Sequence, residues 1–233
     1  MNRTAVILLV CGVVLGADGG GGPPLARQLR LDGTQLDLRG IPVRDADLAQ
    51  LSDPIFARVT ILLLAGTGVG DAGLEHVRPL ALKNLDLYRT AVSDSGLAQL
   101  ADLPIERLTL SGTAVTDSGL AHLRALPLVT LALRDTRISE AGLVHLRGMP
   151  LVRLDLSHTK LTDAAMPHLA RLPELAEIDL SYTLVTDSAL RQLAQLPRLS
   201  WVYLGGTAVS AEGAEQLRAA RPDLDVSIAP LTR

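Results

Sequence analysis

From residue 35 onward the chain switches repeatedly between two apolar spacings. Leu85-Asp86-Leu87 sets apolar against polar residues at a period of two, which predicts a short strand with both leucines on one face. Leu97, Leu100 and Leu103 follow at intervals of three, which predicts a short helix with one apolar face. The same switch recurs as LDLYRTAVSDSGLAQLADLP from 85, LTLSGTAVTDSGLAHLRALP from 108 and LALRDTRISEAGLVHLRGMP from 131. It continues as LDLSHTKLTDAAMPHLARLP from 154 and IDLSYTLVTDSALRQLAQLP from 178. Self-similarity at such a period marks a solenoid.

The threonines Thr67, Thr90, Thr113, Thr136 and Thr159 stand 23 residues apart, and Thr183 and Thr207 follow at intervals of 24. A degraded first unit from Leu36 has Ile41 in the threonine's place, and a degraded last unit runs from Val202. This gives about eight units with atypical ends, as terminal caps should be. Ser93-Asp94 and Thr116-Asp117 stand at the predicted helix starts. There a side-chain oxygen can accept from free backbone N–H groups, and a carboxylate suits the positive end of the helix dipole. Pro104, Pro127, Pro150, Pro173 and Pro197 stop each helix, while Pro167 predicts a late or distorted sixth helix.

The unit L-x-L-x-x-T-x-V-T-D-x-G-L-x-x-L-x-x-L-P resembles the leucine-rich repeat family. It is most similar to the ribonuclease-inhibitor-like and F-box-associated repeat class, here of a bacterial exported type. The resemblance covers about four fifths of the chain and implies a helix on the convex side of each unit. Where the family usually has Asn or Cys after the strand, this chain has Thr, whose hydroxyl must then satisfy backbone groups in the bend. No F-box precedes the array, so a ubiquitin-ligase role is not implied.

One strand and one short helix cannot bury their leucines alone, so units must stack. Strands repeat about every 4.8 Å while packed helices need about 8–10 Å. That mismatch predicts an α/β leucine-rich-repeat horseshoe solenoid, with a parallel sheet on the concave face and short helices on the convex face. Residues 35–222 form the repeat domain. Residues 223–233 supply a cap strand, Leu224 to Ile228, and a tail.

Ahead of the repeats the pattern is different. A short basic start, Met1 to Arg3, precedes an apolar stretch from Thr4 to Gly16, then small residues. This is the layout of a secretory signal peptide over residues 1–17. The apolar stretch is shorter than the roughly 20 residues that a membrane span needs. Cleavage would remove Cys11, the sole cysteine, or Cys11 could be lipidated. Residues 18–34 read as a Gly/Pro linker and amino-terminal cap. The expected location is outside the cytoplasm: periplasm, cell envelope or medium. Abundant arginine with only Lys83 and Lys160 suggests a bacterial chain.

Composition then excludes several chemistries. Lys+Arg 22 against Asp+Glu 25 gives a net charge of -3, which argues against a nucleic-acid binder dependent on a basic surface. One cysteine excludes a disulfide scaffold and a multi-thiolate zinc site. Aromatics are scarce: Phe56, Tyr88, Tyr182, Trp201 and Tyr203 are the whole set.

His76, His122, His145 and His168 share one repeat position with Gln99, Gln192 and Gln216. Equivalent residues on neighbouring helices lie too far apart for one zinc ion, so a hydrogen-bonding structural role is expected. The concave face is expected to carry Tyr88, Arg107, Arg134, Arg153, Asp155, Glu177, Asp179, Tyr182, Trp201 and Tyr203. Asp155 and Asp179 should be neighbours about 5 Å apart, sharing a cation or an arginine such as Arg134 or Arg153. Tyr182, Trp201 and Tyr203 gather at the carboxyl-terminal end, where aromatics would serve as binding anchors; alternatively Trp201 merely covers the last repeats.

These features predict a non-catalytic monomer that binds a protein or peptide on its concave face. No cofactor, metal or nucleic acid is expected, and no stable membrane span after signal cleavage. Two alternatives remain: a metal-assisted hydrolase using Asp155, Asp179 and His158, and a purely structural envelope protein.

Overall fold

Each apolar–polar–apolar triplet supplies a strand. The computed structural model describes residues 25–30 and 32–229, so the expected signal peptide and the last four residues of the tail lie outside the described residues. Among the described residues, three-residue strands run as β1 (Gln35–Asp37), β2 (Ile61–Leu63), β3 (Asn84–Asp86), β4 (Arg107–Thr109) and β5 (Thr130–Ala132). They continue as β6 (Arg153–Asp155), β7 (Glu177–Asp179), β8 (Trp201–Tyr203) and β9 (Asp225–Ser227). All nine pair in parallel and in sequence order, forming one sheet.

The register is uniform: Leu62, Leu85, Leu108, Leu131, Leu154, Ile178 and Val202 form one row across it. That row and the row two residues on, Leu64 to Leu204, are almost fully buried and make one continuous core. Rings have no place in this core except Phe56, which is buried in the longer connection between β1 and β2.

The convex side is mostly single 3₁₀ turns. Four-residue α-helices occur as α1 (Asp94–Leu97), α2 (Asp117–Leu120), α3 (Met166–Leu169) and α4 (Leu190–Leu193), and among the described residues only α5 (Ala211–Ala220) is longer. The leucine spacing of three already matches the three residues per turn of a 3₁₀ helix. Among the 23-residue units the convex segment is either an α turn followed by a 3₁₀ turn, as at α1 and α2, or 3₁₀ throughout, as at Ala72–Val77 and Gly142–Leu146; in the two 24-residue units a 3₁₀ turn precedes α3 and α4. Only one of these last two contains a proline, so Pro167 is not the cause expected from sequence. What the two share is one extra residue before the next strand, Glu174 or Arg198, and these two side chains form an ion pair with each other.

Two side-chain systems tie the units together. The marker threonines donate their hydroxyls to the leucine carbonyl three residues back, from Thr67 to Leu64 (2.7 Å) through Thr207 to Leu204 (2.6 Å). The acidic residue at each helix start acts differently from expectation: its partners lie in the following unit. Asp71 accepts from Ser93, Asp94 from Thr116, Asp117 from Ser139, Glu140 from Thr162, Asp163 from Thr186 and Asp187 from Ser210.

Candidate functional site

Strand residues between the buried rows point into the concave face and form three columns. The middle column contains Asp86, Thr109, Ala132, Asp155, Asp179 and Tyr203 in register. Beside it run Arg107, Thr130, Arg153, Glu177, Trp201 and Asp225. Tyr88, Ser111, Arg134, Ser157 and Ser181 follow the strand ends on the third.

At the β6–β9 end these columns bring several expected site residues together. Arg153, Asp155, Glu177, Asp179 and Tyr203 line one depression of about 160 Å³, with Thr130 and Ala132. Trp201, next to Glu177 in register, is 48% exposed, so it is an open ring and not a buried cover. Tyr88, Arg107 and Arg134 stand apart on β3 to β5; Tyr88 is half-buried under the guanidinium of Arg89, 5.1 Å from its ring centre.

Asp155 and Asp179 are direct neighbours across β6 and β7. Asp179 forms no salt bridge with Arg134 or Arg153 among the described residues. Arg153 reaches Glu177 instead, Nε to Oε2 at 2.9 Å. Each aspartate accepts the amide N–H two residues on, from Ser157 and Ser181, both at 2.9 Å. Ser157 also donates its hydroxyl to Asp155 at 2.7 Å. The equivalent Ser181 hydroxyl is buried and makes no hydrogen bond.

Tyr182 belongs to the rim and not to a concave column. It follows Ser181 at the bend, with φ 56°, where parity no longer aims a side chain over the sheet. Its ring stacks on His158, centroids 4.2 Å apart and 24° between planes, and His158 Nε2 is buried without a partner. A Cβ on Gly206 would come within 2.6 Å of the Tyr182 ring, so the next unit's glycine (φ 72°) leaves room for it.

His76 lies on one convex turn and His122, His145 and His168 on three consecutive ones, with Gln99 on the turn between, and none of the four histidines makes a hydrogen bond among the described residues. The hydrogen-bonding role expected of them is not what the structure shows. Exposed or half-buried, they border solvent beside the buried leucines. Among the described residues no three His, Cys, Asp or Glu side chains converge as metal ligands, and no helix is long and apolar enough to cross a membrane.

Stacked strand-and-turn units with a continuous leucine core define the fold as an α/β leucine-rich-repeat solenoid. Its similarity to solved structures leads to the internalins of Listeria monocytogenes. An internalin (inlF) is 17% identical with a TM-score of 0.56, matching 85% of this chain and 59% of that one. Internalin C2 (inlC2) is 22% identical with a TM-score of 0.58, matching 85% of this chain and 80% of its own. The chain therefore spans about three fifths of the first internalin structure. At these identities the likeness concerns the fold. No protein-family model and no curated protein matches the chain.

Proposed function

We propose that this chain is a non-catalytic binding module that holds a protein or peptide partner across its concave sheet. The observation that carries this reading is the open nine-strand face, whose β6–β9 end combines the half-exposed Trp201 with Tyr203, Asp155, Glu177 and Asp179. Aromatic residues beside charges are the composition of binding hot spots. The internalin likeness supports a solenoid scaffold, on which the site and not the fold defines the task.

The finer assignments rest on sequence. The L-x-L-x-x-T unit supports the ribonuclease-inhibitor-like repeat class, and the apolar run Thr4 to Gly16 supports export from a bacterial cytoplasm. Residues 1–17 are then the signal, 18–34 the linker and cap, 35–222 the repeat domain and 223–233 the closing strand and tail. A monomer is the assembly we assign. The hydrolase alternative has less support, because both aspartates already engage serine amides.

A photo-crosslinker placed at Thr109, in the middle of the sheet, tests the reading in the cell that makes the chain. It should capture a protein, whereas one at Ala121 on the convex side should not. Replacing Trp201 and Tyr203 by alanine together with Asp179→Asn should abolish the capture while the fold persists by circular dichroism. Equal capture from both faces, or capture unchanged in the triple variant, overturns it.

A further inference from the structure

Cations gather along one flank of the convex side. Arg124, Arg147 and Arg171 stand just after three consecutive convex turns, exposed and without a salt-bridge partner among the described residues. The acids of the same units, Asp117, Glu140 and Asp163, sit at the opposite end of each turn. There they accept from Ser139, Thr162 and Thr186 of the following unit. Glu174, three residues after Arg171, is paired with Arg198. In a chain of net charge -3, this flank is therefore a local basic surface.

The backbone opens a recess between two of these arginines. After Leu123 the chain stays helical at Arg124, with ψ −30°, but at Arg147 ψ is 128° and Gly148 follows with φ 75°. The Met149 amide donates to the Leu146 carbonyl at 3.1 Å, which completes a type II turn with glycine at its third position. The Gly148 amide donates to the Arg171 carbonyl of the next unit at 3.0 Å. Between the turn Gly142–Leu146 and α3 lies a depression of about 240 Å³, lined by Leu143, Val144, Arg147, Pro167, His168 and Arg171.

We infer that this depression receives a phosphate-bearing lipid headgroup, so that the convex flank rests on an anionic membrane surface. Charge is the first argument. Two arginines and no carboxylate line the depression, and a guanidinium fork matches the oxygens of a phosphate. Size is the second: the volume lies below the roughly 300–1,000 Å³ of small-molecule pockets and suits one headgroup. The apolar wall is the third. Val144 is 49% exposed where the two preceding units carry Ala98 and Ala121, and Pro167 takes the same position in the next unit. Aliphatic side chains beside cations suit the boundary between headgroups and acyl chains.

Composition favours lipid over other polyanions. None of the chain's five rings falls in these three turns, so the flank lacks the aromatic anchors of a protein hot spot and the stacking surfaces of a nucleic-acid site. A chain seated in this way keeps its concave sheet free, so the headgroup site is independent of the concave reading.

The full-length chain, purified from the cell that makes it, is sedimented with vesicles of phosphatidylcholine alone and of phosphatidylcholine mixed equally with phosphatidylglycerol. The neutral vesicles measure any contribution of the apolar run Thr4 to Gly16, and the mixed ones should bind more tightly. An arginine near an anionic surface is worth about five-fold in affinity. Arg147→Gln with Arg171→Gln should therefore weaken the charge-dependent binding about twenty-fold or more, and adding Arg124→Gln about a hundred-fold. Arg27→Gln with Arg58→Gln removes two exposed charges nearer the amino terminus and should leave binding unchanged. Inorganic phosphate at constant ionic strength should not displace the vesicles, and a photo-crosslinker at Val144 should capture no protein in the cell. Equal binding to both vesicles, undiminished binding in the Arg147/Arg171 variant, or an equal loss in the Arg27/Arg58 variant overturns the inference. Full displacement by inorganic phosphate, which marks a site for the free anion, or capture of a protein at Val144 overturns it as well.

Discussion

Asp94 accepts two hydrogen bonds from Thr116 of the next unit, the amide at 2.7 Å on Oδ1 and the hydroxyl at 2.6 Å on Oδ2. Gly119 completes the arrangement, because a Cβ there would come within 2.4 Å of Asp94 Oδ1. The link recurs from unit to unit, and its ends are written in the sequence. Arg44 stands where later units have the Ser/Thr donor, and Ala211 stands where earlier units have the acid, directly after Ser210.

The first prediction follows from that geometry. Asp94→Ala removes a charged acceptor from two donors and should cost about 2–3 kcal/mol in urea unfolding. Gly119→Ala should displace the same carboxylate and cost a similar amount. The two together should cost clearly less than their sum, since both break one link. Full additivity would show that Gly119 serves another purpose.

Acid sensitivity should follow from the same ladder. Burial raises the carboxyl pKa of Glu140, but hydrogen bonds from the hydroxyl and amide of Thr162 outweigh it, so the net shift is downward. The hydroxyl and then the amide of Ser210 lower that of Asp187. A carboxyl with a lower pKa folded than unfolded adds stability above its unfolded value and loses it as pH falls through the folded one. The urea midpoint should therefore be flat from pH 7 to about 5 and fall below about 4.5. Glu140→Gln should lower it at pH 7 and match the parent near pH 2; an unchanged difference at both would contradict this.

Much of the fold is legible in the residues, because each strand is spelled by a triplet such as Leu85-Asp86-Leu87 and each bend by a threonine. The ladder is harder to read. Asp94 and Thr116 are 22 residues apart, and only the coincidence of acid in one unit with Ser/Thr in the next signals their contact. At the candidate site, strand parity places Asp155, Asp179, Trp201 and Tyr203 correctly on one face. It fails for Tyr182, because the chain leaves the strand at Ser181. The choice of Glu177 by Arg153 is likewise a matter of which side chain reaches across the register, which parity does not determine.

The bend after each strand requires positive φ, a conformation easiest for glycine. Gly40, Gly66, Gly112 and Gly206 supply it in four units, but Arg89, Asp135, His158 and Tyr182 adopt it with φ of 50–56°. Asp135 is exposed, so its backbone can be tested without disturbing the core. Asp135→Val places a β-branched residue there and should lose about 1–2 kcal/mol, while Asp135→Gly should be neutral or stabilising by up to about 1 kcal/mol. Thermal melts of the two variants check the order; a valine variant as stable as the glycine one would mean that the bend relaxes.

The last strand needs closure, and two arginines provide it. Arg218 donates to the carbonyl of Val226 at 2.7 Å, occupying an acceptor on the terminal strand β9. Arg221 donates to the carbonyls of Ala194 (2.8 Å), Leu196 (3.1 Å) and Leu199 (2.9 Å) while Asp223 orients its guanidinium from the other side. These carbonyls lie where the chain leaves α4 for β8, so Arg221 fastens the closing unit to the one before it. Lysine cannot reproduce a planar fork that serves three carbonyls and a carboxylate at once. Arg221→Lys should therefore cost about 1–2 kcal/mol and Arg221→Ala about 2–4 kcal/mol. Hydrogen exchange should rise first in residues 200–229, before the central units, because a solenoid unravels from an end whose interface is weakened. Uniform exchange along the array in Arg221→Ala would show instead that the closing unit unfolds only with the whole.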